Sequence, residues 1–220
     1  MTTGFLRREN YGDAARELLL TQDTASFSPD VSEMRFDGKI YFDTFQNYSK
    51  LTGVPLKALL PSPCFRDGYT VAYNGVFLIL TDARSSYKPN AHRSTNAVNP
   101  ENKRLNWTLA HEVGHIVLGH RGDGEAEERE ANGFAAELLM PEPVISALAS
   151  GLNKGITAVE ISRLFNVSMK AACSRIAALS GKRRLSPYLR RELLEKYRVP
   201  IEAYLKRANR FYPRERALIP

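Results

Sequence analysis

The chain has 220 residues, 43% hydrophobic and 25% charged, with 31 Lys/Arg against 24 Asp/Glu for a net charge of +7. These proportions suit a globular protein with a substantial core and exclude a collagen-like, coiled-coil or wholly disordered chain. Two distant cysteines, Cys64 and Cys173, without CxxC spacing, exclude a disulfide scaffold and fit a reducing compartment.

The first ten residues carry Arg7, Arg8 and Glu9 where a signal peptide needs an apolar core, so a cytoplasmic protein is expected. A helix is expected from about Arg8 to Leu20, with Tyr11, Ala14, Ala15, Leu18 and Leu19 on one face. Tyr41, Phe45 and Tyr48 recur at helical spacing and predict a second helix over Tyr41 to Leu51, after which Pro55, Pro61 and Pro63 break the chain. Tyr69 to Tyr73 and Val76 to Leu80 flank Asn74-Gly75, a dipeptide suited to a two-residue hairpin turn. Stretches such as Val76 to Leu80 are too short to span a bilayer, and no membrane partner is expected. The polar run from Asp82 to Val98 reads as a long loop.

Asn99-Pro100-Glu101 then supplies a capping residue, a first-turn proline and an acid near the positive end of a helix dipole. Leu105, Leu109, Val113 and Val117 follow every four residues, with Gly119 as a stop. This helix carries His111-Glu112-Val113-Gly114-His115, an HExxH motif. Residues four apart lie only about 40° apart around the axis, so both imidazoles can reach one Zn²⁺. Glu112 lies about 100° away, placed to meet a water rather than the metal and to take its proton as general base. Coincidence is the competing explanation, and the helical context weighs against it.

A catalytic zinc needs a third protein ligand and an open fourth position. His120 is one choice, but the order is HExxHxxxGH, and on a continued helix it would point about 180° from His111. The next helix, expected from Glu125 to Met140, begins with Glu125, Glu127, Glu128 and Glu130. Some of these acids simply complement the helix dipole. Its buried stripe is Ala131, Phe134, Ala135, Leu138 and Leu139, and Glu127 lies nearer the centre of that stripe than Glu130 does.

Thr108-Leu-Ala-His-Glu-Val-Gly-His115, followed by Glu130-Ala-Asn-Gly-Phe-Ala-Ala-Glu-Leu-Leu-Met-Pro141, resembles the ImmA/IrrE family of zinc metallopeptidases. The likeness is dense from Asn99 to Pro143 and looser over residues 65–180. It implies a zincin-like fold, one Zn²⁺ per chain held by His111, His115 and Glu130, and Glu112 as the catalytic base. It further implies an endopeptidase that cleaves a specific repressor-type regulator, itself a helix-turn-helix protein. The oxyanion-stabilising group is open, with Tyr69, Tyr73 and Tyr87 as choices.

Thr157-Ala-Val-Glu160 is a capping box opening a helix to Phe165, and Asn166-Val167-Ser168 turns the chain into a second helix over Ser168 to Leu179. The pair resembles a helix-turn-helix unit. Its second helix offers only Lys170, Ser174 and Arg175 to a duplex, with no Asn or Gln to read adenine, so a structural or substrate-docking role is favoured over direct DNA binding. Residues 181–220 hold 12 of the Lys/Arg and 4 of the Asp/Glu, a net of +8 that leaves the first 180 residues at −1. Leu189, Leu193, Leu194, Tyr197, Ile201 and Tyr204 suggest an amphipathic helix there, interrupted or restarted by Pro200. The expected architecture is α+β: a zincin-like metallopeptidase core with a small sheet over 1–145, a helix-turn-helix-like subdomain over 146–180 and a basic tail over 181–220. The competing expectation is a non-catalytic zinc-containing regulator that binds DNA or protein through the helix pair and tail. The acid at Glu112 argues against it, since a structural zinc site has no need of one.

Overall fold

The computed structural model describes residues 10–23, 25–36, 39–60, 68–82, 100–122, 124–179 and 186–211. The chain forms two compact units, one of residues 1–14 and 30–135, the other of residues 15–29 and 136–220. These divisions fall inside the first helix, α1 (Tyr11–Thr21), and inside α5 (Glu125–Leu139).

The first unit holds a three-stranded sheet in the order β1-β3-β2, made of β1 (Ile40–Thr44), β2 (Gly68–Tyr73) and β3 (Val76–Thr81). The hairpin forms as the sequence predicts: β2 runs antiparallel to β3 with Tyr73 opposite Val76. Asn74 (φ 49°) and Gly75 (φ 77°) occupy the left-handed region that a type I′ turn requires. β1 is a correction. Residues 40–44 pair in parallel with β3, Ile40 opposite Phe77, where the sequence reading has the start of a helix. The helix begins only at α2 (Phe45–Thr52), because Thr44 caps it: its hydroxyl accepts the Asn47 N–H at 3.1 Å. A short helix, α3 (Leu56–Leu59), follows.

The expected loop over 82–98 and the cap Asn99 lie outside the described residues, apart from Asp82. α4 (Pro100–Leu118) packs against β2 and β3. Leu109, Val113 and Val117 are buried along it, as are Ile79 and Leu80 of β3 and Phe45 of α2. α5 buries Ala131, Phe134, Ala135, Leu138 and Leu139, the stripe its sequence predicts.

In the second unit, α6 (Glu142–Gly151) starts at the proline pair that ends α5, an element the sequence reading does not anticipate. α7 (Ala158–Leu164) opens on the expected capping box: Thr157 Oγ1 accepts the Glu160 N–H at 3.2 Å, and Glu160 Oε2 accepts the Thr157 N–H at 3.0 Å. It ends where Asn166 turns left-handed (φ 50°) and the Val167 N–H closes on the Ser162 carbonyl at 3.1 Å. α8 (Met169–Leu179) packs on α7. Arg175 of α8 is buried, so of the three side chains considered for a duplex, Lys170 and Ser174 alone are exposed.

The tail forms α9 (Pro187–Lys196) and α10 (Arg198–Phe211), both packed on α6. The break comes at Tyr197, and Pro200 is the third residue of the restarted helix, where its missing N–H leaves no hydrogen bond unmade. Among the described residues no helix is long and apolar enough to cross a membrane.

Candidate metal centre

Two consecutive helices, α4 and the part of α5 that lies in the first unit, supply the site. Near the end of α4 the HExxH spacing sets His111 and His115 side by side, with their Nε2 atoms 3.0 Å apart. From the first turn of α5, Glu128 reaches them: Oε2 is 3.4 Å from His111 Nε2, and Oε1 is 3.6 Å from His115 Nε2. Four ligands bound at about 2.0–2.1 Å around a tetrahedral metal lie roughly 3.3 Å from one another. One nitrogen from each imidazole and one carboxylate oxygen lie within 4.8 Å of one another, close to three corners of such a site. Among the described residues, His111, His115 and Glu128 form the group that could hold a metal ion.

The structure brings together His111, His115 and Glu128 but assigns different work to the other acids. Glu130 faces His120, with Oε2 3.0 Å from its Nε2. It stands outside the cluster in which the family resemblance would put it. Glu127 reaches back to the start of its own helix, where its carboxylate accepts the Gly124 N–H at 3.2 Å and the Arg121 N–H at 3.4 Å. Gly124 precedes the first helical residue, so this is one half of a capping box. The Gly124 N–H, helped by the nearby Arg121 N–H and histidines, holds the Glu127 carboxyl below its ordinary range. The helical wheel explains the outcome. Glu127 and Glu128 each lie about 50° from the centre of the buried stripe, on opposite sides, whereas Glu130 lies about 110° away. Which flank faces α4 depends on how the two helices pack, and that is absent from a single-helix pattern.

Gly114 sets the distance between the helices. A Cβ at this position would sit 3.1 Å from Phe134 Cδ1, 3.2 Å from Phe134 Cβ and 3.3 Å from Ala131 Cα. The glycine inside HExxH thus lets the backbone of α5 approach closely enough for Glu128 to reach both imidazoles.

Glu112 is 9% exposed and turned toward the sheet, where Thr70 Oγ1 of β2 donates to its Oε2 at 2.7 Å. Thr70 carries no motif signal; only the packing of β2 against α4 shows its role. Of the tyrosines considered for the oxyanion, Tyr69 stacks on Phe45 with ring centroids 5.2 Å apart, and burial pushes its phenol pKa up. Tyr73 is 76% exposed beside the turn, and Tyr87 lies outside the described residues.

A helix bearing HExxH against a small sheet, joined by a carboxylate from the next helix, has the parts of a metallopeptidase site. The family comparison agrees: residues 96–177 match the IrrE N-terminal-like domain of peptidase family M78. This segment, which includes α4 to α8 but for the last residues of α8, is thus similar to that metallopeptidase family, in line with the ImmA/IrrE-like motifs of the sequence. No curated protein and no solved structure matches the chain.

Proposed function

We propose that this protein is a zinc-dependent endopeptidase acting in the cytoplasm on a specific protein, with a helix-turn-helix repressor as its substrate. The observation that supports the reading best is the His111, His115 and Glu128 triangle beside a buried, hydrogen-bonded Glu112. In this reading those three residues hold one zinc, with Glu128 taking the place that the resemblance gives to Glu130. When bound, zinc supplies Lewis acidity and brings the pKa of a bound water down to near 7. Glu112 accepts a proton from the attacking water and returns it to the leaving amine. Thr70 keeps the carboxylate of Glu112 oriented by donating to one of its oxygens. Relief of transcriptional repression would follow from cleavage of the repressor.

Glu112→Gln preserves shape but cannot accept a proton. The variant is expected to fold, to keep its zinc and to lose roughly 10²–10⁴-fold in the rate of cleavage. The measurement is co-expression of each form with repressors encoded beside the gene, read by fragment mass. Undiminished cleavage by the variant would remove Glu112 from the mechanism.

A further inference from the structure

His120 and Glu130 stand next to the metal centre without belonging to it, and their arrangement is continuous with it. Gly119 (φ 70°) ends α4 in a Schellman motif, in which the His120 N–H donates to the His115 carbonyl at 3.0 Å and the Gly119 N–H to the Ile116 carbonyl at 3.1 Å. That turn folds the His120 ring back against His115, with centroids 5.0 Å apart and planes at 77°. His120 Nδ1 then lies 3.1 Å from His115 Nδ1, and His120 Nε2 lies 3.0 Å from Glu130 Oε2. The His120 side chain is 6% exposed and that of Glu130 is 50% exposed, so the chain of contacts runs from the metal ligand to the surface.

The proton positions are constrained. A carboxylate accepts only, so a neutral His120 must carry its proton on Nε2 to bond Glu130. Its Nδ1 is then an acceptor, and the facing Nδ1 of His115 must carry a proton and donate. His115 is thereby left with the lone pair on Nε2, the atom that faces His111 and Glu128. We propose that His120 and Glu130 form a positioning relay that fixes His115 in the tautomer and orientation needed to bind the metal. The relay rests on reading His111, His115 and Glu128 as the ligands. It accounts for a glutamate at position 130 that the resemblance would make a ligand.

Metal ligands that lose their outer hydrogen-bond partner typically lose 10–100-fold in metal affinity. Zinc alone is the probe, and chelator competition measures its affinity in the full chain, with circular dichroism confirming the fold. His120→Ala is expected to weaken zinc 10–100-fold. His120→Asn, whose side-chain oxygen can stand near the Nδ1 position as an acceptor, should recover most of that loss. Glu130→Ala should cost less than His120→Ala, and Glu128→Ala should purify largely zinc-free. Long-range ¹H–¹⁵N spectra of the zinc-loaded chain should place the His115 proton on Nδ1, with its signal broadened by exchange in His120→Ala. An unchanged affinity in His120→Ala, or a His115 proton on Nε2, overturns the relay while Glu128→Ala still tests the ligand set. A zinc-free Glu130→Ala beside a zinc-bound Glu128→Ala would instead make Glu130 a ligand and overturn both.

Discussion

Thr70 and Glu112 define the smallest unit of chemistry in the molecule. A hydroxyl donating to a buried carboxylate at 2.7 Å restricts the carboxylate to one orientation, and hydrogen bonds to charged groups contribute about 1.5–3 kcal/mol. Thr70→Val keeps the shape of the strand residue but removes the donor. Its kcat is expected to fall by roughly 10–100-fold with zinc content unchanged, whereas Thr70→Ser should stay near wild type. Steady-state kinetics on a cleavable peptide, with metal analysis of the same samples, checks this. A Thr70→Val enzyme as fast as wild type would mean that packing alone orients Glu112.

At the scale of elements, the approach of α4 to α5 and the burial of α5 are separable. Alanine in place of a helical glycine ordinarily stabilises by about 1 kcal/mol. At Gly114 the added methyl would instead press on Phe134 and the backbone of α5. Gly114→Ala is therefore expected to weaken zinc binding, by on the order of tenfold, more than it changes the melting temperature, since Glu128 would be pushed from the imidazoles while the core can adjust by tenths of an ångström. The far end of α5 carries a different constraint. Glu137, 3% exposed, accepts Arg16 Nε at 2.8 Å and the Glu142 N–H at 3.1 Å on Oε1, and Arg175 on Oε2. Arg175 also donates to the Met140 carbonyl at 2.9 Å. Removing the shared acid takes one carboxylate from two buried guanidinium groups at once, a loss of about 3–5 kcal/mol. Glu137→Ala should lower the melting temperature by on the order of 10 °C. A thermal scan showing less than a few degrees of change would contradict that account. The same burial removes Arg175 from any role in contacting a duplex.

For the whole molecule, the basic side chains of residues 181–220 are partly paired, though Glu142 alone of the three acids lies outside that segment and offsets its excess charge. Arg190 pairs with Glu142, Arg191 with Glu192 and Arg198 with Glu195. Lys196 donates to the Leu19 and Gln22 carbonyls, and its burial lowers its pKa. Leu189, Leu193, Tyr197 and Ile201 are buried, so α9 and α10 present a basic outer face over an apolar inner one. Exposed pairs of this kind contribute little to stability. Any association with DNA through this face is expected to be non-specific and to fall steeply between about 50 and 200 mM salt. Duplex titrations and footprinting test this, and a footprint abolished by Lys170→Ala would restore sequence-specific recognition by the helix pair.

Local signals carried most of the elements. The hairpin was legible because Asn74-Gly75 satisfies a turn that few dipeptides can, and α7 because Thr157 and Glu160 cap it within four residues. His111, Glu112 and His115 were legible because helical geometry alone puts side chains four apart on one face. Strand β1 was not, since its partner β3 is more than thirty residues away and Tyr41, Phe45 and Tyr48 repeat at helical spacing across the strand-to-helix junction. The third member of the group that could hold a metal, Glu128, was not legible either. Glu127 and Glu128 flank the buried stripe of α5 almost symmetrically, so no one-helix argument separates them. Contact between α4 and α5 at Gly114 made the choice, aiming one flank at the histidines and leaving Glu127 to cap its own helix and Glu130 to meet His120. Patterns within a few residues obey the geometry of a single element, whereas a site shared between two helices depends on their packing, which only the folded chain contains.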